Sequence, residues 1–246
     1  MKLLGFGEGG IGEVPFGGVP FGGISSASLL SAIKLALTAR MKMNNGDTTS
    51  ETTKLLQDIS NEIATKWKDW ASSVTFGGVT VSGAGVGTWV GTGSGGVFSK
   101  TITINIPYTY DTEGSKKMID SLNARITAAF NEWINSFTFS GVSFNGTSTA
   151  TPSSPGTFNA INIPTSLSLA GTTTKFGTLA NDIKGDLNFE KDSIADDLFI
   201  AIQNTVKDQF DSWRNESNIT NNSVTGTAAS GAGTGSGNSL NDGVIV

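Results

Sequence analysis

Three stretches of the chain carry one pattern of apolar and polar positions. Counting back 14, 11, 7 and 3 residues from Trp70 gives Leu56, Ile59, Ile63 and Trp67. The same offsets before Trp133 give Ile119, Leu122, Ile126 and Phe130, and before Trp213 they give Phe199, Ile202, Val206 and Phe210. Steps of three and four residues keep such positions on one helix face, while Lys, Asp, Asn, Gln and Thr stand between them. Three amphipathic helices of like register are predicted, with Trp67, Trp70, Phe130, Trp133, Phe210 and Trp213 as a repeated core. The final Trp of each set is expected to be largely buried at a helix-to-strand junction.

Beyond each tryptophan the period changes to two, the signature of a half-buried strand. Val74, Phe76, Val79 and Val81 follow Trp70, and Phe137, Phe139, Val142 and Phe144 follow Trp133 at equal offsets. The third copy keeps Ile219 and Val224 but has Ser217 and Asn222 at the other two places. Glycine-rich segments come next, at Gly83–Gly96, Gly146–Gly156 and Gly226–Gly237, and read as hairpin loops. Ile104–Pro107, Ile161–Pro164 and Leu240–Val246 read as the returning strands. The fold class is therefore α+β, with three internal repeats of amphipathic helix plus β-hairpin at 47–107, 111–164 and 190–246. Residues 165–189 form an insertion, with a short helix expected around Thr178–Lys184.

Ahead of the repeats, residues 1–24 form a glycine-rich arm with a tandem pentapeptide, Val14-Pro15-Phe16-Gly17-Gly18 and Val19-Pro20-Phe21-Gly22-Gly23. Proline is excluded from central strands and glycine favours turns, so the arm has no core of its own. It either packs on its own domain or orders on a neighbouring subunit. A surface with pockets at five-residue spacing would explain the duplication, and Val14, Pro15, Phe16, Val19, Pro20 and Phe21 are the predicted assembly residues. Residues 25–46 read as a helix, capped by Ser25 or Ser26, with Leu29, Leu30, Ile33 and Leu37 at helical spacing and Asn44-Asn45-Gly46 as its stop.

Composition narrows the function. Among 246 residues there are 32 Gly, 30 Thr and 28 Ser, but no His and no Cys. Those two zeros exclude cysteine nucleophiles, Ser-His-Asp triads, Cys/His zinc sites and disulfide frameworks. Charged residues make up 15% and the net charge is −5; with no Lys/Arg cluster, nucleic-acid binding is not expected. No run of about 18 apolar residues appears, so no membrane span is expected, and Met1–Glu8 lacks the apolar centre of a signal peptide.

Candidate chemistry is sparse. Gly91-Thr92-Gly93-Ser94-Gly95-Gly96 lacks the lysine of a phosphate-binding loop and opens no helix. Asp182, Asp186, Glu190, Asp192, Asp196 and Asp197 lack the spacing of a calcium loop, and the last three suit a helix start. Asn145, Asn215, Asn218 and Asn221 fit the glycosylation sequon, which a chain rich in Asn, Ser and Thr produces by accident. A carboxylate pair for glycoside hydrolysis remains open by spacing alone, without the aromatic cleft such enzymes use. No catalytic, cofactor-binding or metal-binding residue is assigned, and no cofactor or small-molecule substrate is expected.

A helix with one apolar stripe and a two-stranded hairpin cannot bury itself alone, so the three units are expected to bury one another. Glycine-rich hairpins and the arm would then reach neighbouring subunits, by arm exchange or by adding strands to a neighbouring sheet. In its His- and Cys-free composition, and in its repeated helix-plus-Gly-Thr-Gly-hairpin unit, the chain resembles the small structural proteins of tailed bacteriophage virions. The resemblance implies a non-enzymatic protein of the tail, baseplate, connector or head-associated layer, assembled in the host cytoplasm from copies of itself and other virion proteins. The competing readings are a surface adhesin or receptor-binding module and, in a third class, a carboxylate hydrolase.

Overall fold

Helical periodicity of the kind described above requires a partner for each apolar stripe, and the chain supplies it by gathering its helices into one layer. The computed structural model describes Ser31, residues 50–108, 113–188, 193–229, 234–241 and 244–245, with the backbone alone at 50–53, 193–195 and beyond 229. The arm at 1–24, including Val14, Pro15, Phe16, Val19, Pro20 and Phe21, and all of 25–46 except Ser31, lie outside the described residues. Among the described residues are four α-helices: α1 (Ser50–Ser73), α2 (Glu113–Ser136), α3 (Thr174–Leu187) and α4 (Ser193–Glu216). All fifteen apolar stripe positions of α1, α2 and α4 are buried. The segment 165–189 is more than a connection. Its α3 lies against α2 and α4, with Phe176 edge-on to Phe130 at 5.1 Å and stacked on Phe210 at 4.7 Å.

The strands are β1 (Phe76–Ala84), β2 (Gly87–Phe98), β3 (Phe139–Ser148), β4 (Gly156–Asn162), β5 (Thr165–Ser166), β6 (Asn218–Thr220), β7 (Ser223–Ala228), β8 (Thr234–Asn241) and β9 (Val244–Ile245). Six of them form an antiparallel barrel in the order β1-β2-β3-β4-β7-β8. It closes where β8 returns to β1, with Thr80 opposite Asn238 and Ala84 opposite Thr234. The short β5, β6 and β9 make a separate three-stranded sheet. Burial alternates along the described barrel strands, with Val79, Val81, Trp89, Phe144, Phe158, Ala160 and Val224 pointing into the barrel, and is interrupted at Gly78, Gly95–Gly96, Gly141 and Ser223.

The helices cap one end of this barrel. Trp70 and Trp133 touch Phe98 at 5.2 and 5.4 Å, and Phe98 touches Phe76 and Phe137 at 5.0 and 5.1 Å. At each junction the N–H four residues on, of Val74, Phe137 and Ser217, donates to the tryptophan carbonyl at 2.8, 2.9 and 3.0 Å. Eight residues past each tryptophan, Gly78, Gly141 and Asn221 take left-handed φ values of 75°, 66° and 61°. That conformation suits glycine and asparagine; it interrupts the alternation within β1 and β3, and at Asn221 it separates β6 from β7.

Two expectations about the hairpins are corrected. In the second glycine-rich segment residues 149–155 form the expected loop between β3 and β4, but the described parts of the other two are largely barrel strand: Gly87–Gly96 lies in β2, Gly226–Ala228 in β7 and Thr234–Gly237 in β8, and the first hairpin turns at Gly85 and Val86. Glycine is needed there because aromatic rings lie on the backbone. A Cβ at Gly91 would overlap the Trp89 ring and the Ser82 carbonyl, and one at Gly93 would overlap the Phe144 ring.

The second correction concerns Ile104–Pro107, which is not a strand. Residues 101–107 run extended along α2, with Ile102, Ile104 and Ile106 buried and their neighbours exposed. Their N–H groups donate to side chains instead of a second strand: Ile102 to Asn131 at 2.9 Å, Ile104 to Thr127 at 2.9 Å and Ile106 to Asn123 at 2.7 Å. Asn131 and Asn123 donate back to the carbonyls of Ile102 and Ile106. Residues 123, 127 and 131 share one helix face, and their side chains supply the bonds a strand would have made.

Candidate interaction surface

The six residues expected to form the repeated core meet in one aromatic cluster. Trp67 stacks on Trp70 at 4.8 Å and on Phe130 at 4.9 Å, and it meets Trp213 edge-on at 4.4 Å and Phe210 at 5.4 Å. Trp133 lies 5.2 Å from Phe210. The Trp70 and Trp133 indole N–H groups donate to the carbonyls of Lys100 at 2.9 Å and Ala170 at 3.1 Å. These contacts bury side chains against each other and leave no room for a ligand; their role is cohesion.

Sequence reasoning passed over the fifth tryptophan. Trp89 is fully buried inside the barrel and stacks on Phe158 with centroids 4.1 Å apart and planes 3° from parallel. The pair fills the lumen near the end away from the helices, so the barrel is a packed body and not a channel. A signal for it exists in the sequence, a large residue in the midst of alternating glycines. A second feature that went unread is a buried amide pair at the other end. Asn222 takes the place of the valine in the first two copies; its N–H donates to Asn162 Oδ1 at 2.9 Å and its Nδ2 to the Phe76 carbonyl at 2.5 Å. Asn162 in turn donates to the carbonyls of Ile163 and Ile219 at 3.0 Å.

Of the acidic residues around α3 and α4, Asp186 and Asp196 tie helix to helix, Asp182 accepts from Thr178 within α3 at 2.9 Å, and Glu190 and Asp192 lie outside the described residues. Arg125 on α2 makes a two-pronged pair with Asp186 on α3, and Ser121 donates to the same carboxylate at 2.6 Å. The Arg125 guanidinium first, then the Ser121 hydroxyl, pull the Asp186 carboxyl down to about 2. Lys184 pairs with Asp196 across to α4 at 3.6 Å. Among the described residues no group of three or more His, Cys, Asp or Glu is placed to hold a metal ion. Among them, too, no helix is long and apolar enough to cross a membrane.

The helices and the barrel wall expose surfaces of different kinds. The four helices carry 24 charged residues in 86 positions, and the six barrel strands carry none in 52. Outward positions of the described wall hold hydroxyls and amides, such as Thr80, Thr88, Thr92, Asn145 and Asn159, all exposed. Among them stand aliphatic side chains, with Val90, Val97 and Ile161 exposed by 59%, 63% and 49%. A groove on β3, β4 and β7 is lined by Thr147, Thr149, Thr157, Asn159, Thr225 and Thr227. No family model, no curated protein and no solved structure matches the chain.

Proposed function

We propose that the chain is a non-enzymatic structural protein that self-assembles, a component of a tailed-bacteriophage virion belonging to its tail, baseplate, connector or head-associated layer. The observation that carries the assembly reading is the partition of charge, 24 charged residues on the helices against none on the barrel strands. A freely soluble surface is about one-quarter to one-third charged, whereas the buried centre of a protein–protein interface is depleted of charge. The virion placement is supported by the resemblance in composition and unit style. Its partners are copies of itself and other virion proteins.

The same reading takes the chain as three repeats behind an arm. Support comes from the matched 24-residue helices, the shared bond from the fourth N–H back to each tryptophan carbonyl, and the left-handed residue eight positions on. The third copy departs where Asn222 replaces valine and the strand divides into β6 and β7. A receptor-binding or adhesin role is the second reading, favoured by the threonine-lined groove on the barrel wall.

Light scattering across a concentration series tests the assembly reading. The expected mass is a multiple of 25.4 kDa, and removal of residues 1–23 is expected to lower the assembled fraction. A protein that stays at the single-chain mass throughout, and that binds a glycan panel instead, would favour the receptor-binding reading.

A further inference from the structure

We propose that the outer wall of the barrel along β2, β3 and β4 is a contact between two copies of this chain, packed wall to wall with the barrel axes antiparallel, so that the helical layers lie at opposite ends. The inference rests on the self-assembly reading and specifies its surface and its partner. Register places Val90, Asn145 and Ile161 side by side across the three strands. All three are exposed, and the two aliphatic members lie two strands apart, about 10 Å at ordinary strand spacing. Around them the wall offers Thr88, Thr92 and Asn159, small side chains that permit close approach and hydrogen bonds without burying a charge.

Charge selects the partner. A charged surface seated on this wall would lose its hydration and find no counter-charge, at a cost of several kcal/mol per desolvated ion in general. A neutral, mixed hydroxyl and aliphatic surface meets no such penalty, and this chain carries one. The four helices together hold a net charge of −4, read from their sequences. Contact through helical layers would bring those like charges together. Contact through the walls with antiparallel barrel axes puts the charged layers at opposite ends, beyond the roughly 8 Å over which charges act at physiological salt. Within the barrel no strand edge is free, because β8 closes onto β1, so association through the barrel is face to face and not by strand addition.

The test places charge at outward, exposed positions of the wall. Val90→Lys and Ile161→Lys, singly and together, are compared with the full chain and with Lys68→Glu on an exposed position of α1, by sedimentation velocity. The full chain is expected to associate with rising concentration. The double variant is expected to sediment as a single chain with an unchanged thermal midpoint and circular dichroism spectrum, each single variant to need at least tenfold more protein, and Lys68→Glu to behave as the full chain does. A full chain that never associates overturns the self-assembly reading and this inference together. A full chain that associates while the folded double variant associates equally well overturns the wall contact alone. If the double variant loses its spectrum, Thr92→Lys on the same wall replaces it, with the same two outcomes.

Discussion

In the helical layer Trp67 packs among Trp70, Phe130, Phe210 and Trp213, ring against ring. In the barrel Trp89 stacks on Phe158 and covers the backbone of Gly83 and Gly91. The helices thus cohere by matching large side chains from separate elements, each stripe backed by a charged outer face. The barrel coheres by removing side chains, so that strands close tightly around a few rings, and its outer face is neutral. The difference teaches that glycine means opposite things in the two halves: slack in a helix, a packing surface in a strand that carries an aromatic ring.

The largest effect expected is from Trp67→Ala, which empties the centre of the helical cluster. It is expected to cost about 3–5 kcal/mol, read from the urea midpoint; a loss under about 1 kcal/mol would remove Trp67 from its central role. Next, one substitution made in both halves is expected to change sign. Gly91→Ala pushes a methyl into the Trp89 ring and the Ser82 carbonyl, an overpacking worth about 1–3 kcal/mol of lost stability. Gly177→Ala, on α3 with open space around it, is expected to add about 0.5–1 kcal/mol through helix propensity. Equal effects of the two changes would break the comparison.

The smallest effect concerns pH. The folded Asp186 carboxyl, at about 2, lies below its ordinary value of 3.8. A depressed carboxyl contributes stability above its unfolded value and loses it as pH falls through the folded one. Stability is therefore expected to decline between about pH 4 and pH 2, and Asp186→Asn is expected to flatten that part of the profile. Both side chains are partly exposed, 40% for Arg125 and 31% for Asp186, so the screened pair is worth at most about 1 kcal/mol.

Much of the helical layer was legible because its stripes are long, periodic and made of large residues. The burial of all fifteen stripe positions follows from spacing alone. The barrel was legible only in part. Alternation marked β1 and β3, but glycine at alternate positions of β2 reads as a loop unless Trp89 and Phe144 are known to lie across it. The extended run at 101–107 has the period of a strand and lacks only a strand for a partner; the side-chain ladder of Asn123, Thr127 and Asn131 is visible in sequence but signals nothing until the segment lies beside it. The neutrality of the wall was present in the sequence as long uncharged stretches, yet it acquires meaning only once those stretches are found on one surface.

The closure of β8 onto β1 also sets an order of events. Ile106 finds Asn123 only 17 positions along the chain, and the α2 ladder can engage as soon as that helix forms. Ala84 finds Thr234 across 150 positions. Contacts so distant pay their loop-closure entropy late and dominate folding times. Until that last seam zips, β1 and β8 are open edges that accept any extended chain, including the β8 of another copy. The neutral, glycine-rich wall is thus safest once sealed, and the slow step of folding is the interval in which strands can be exchanged between chains.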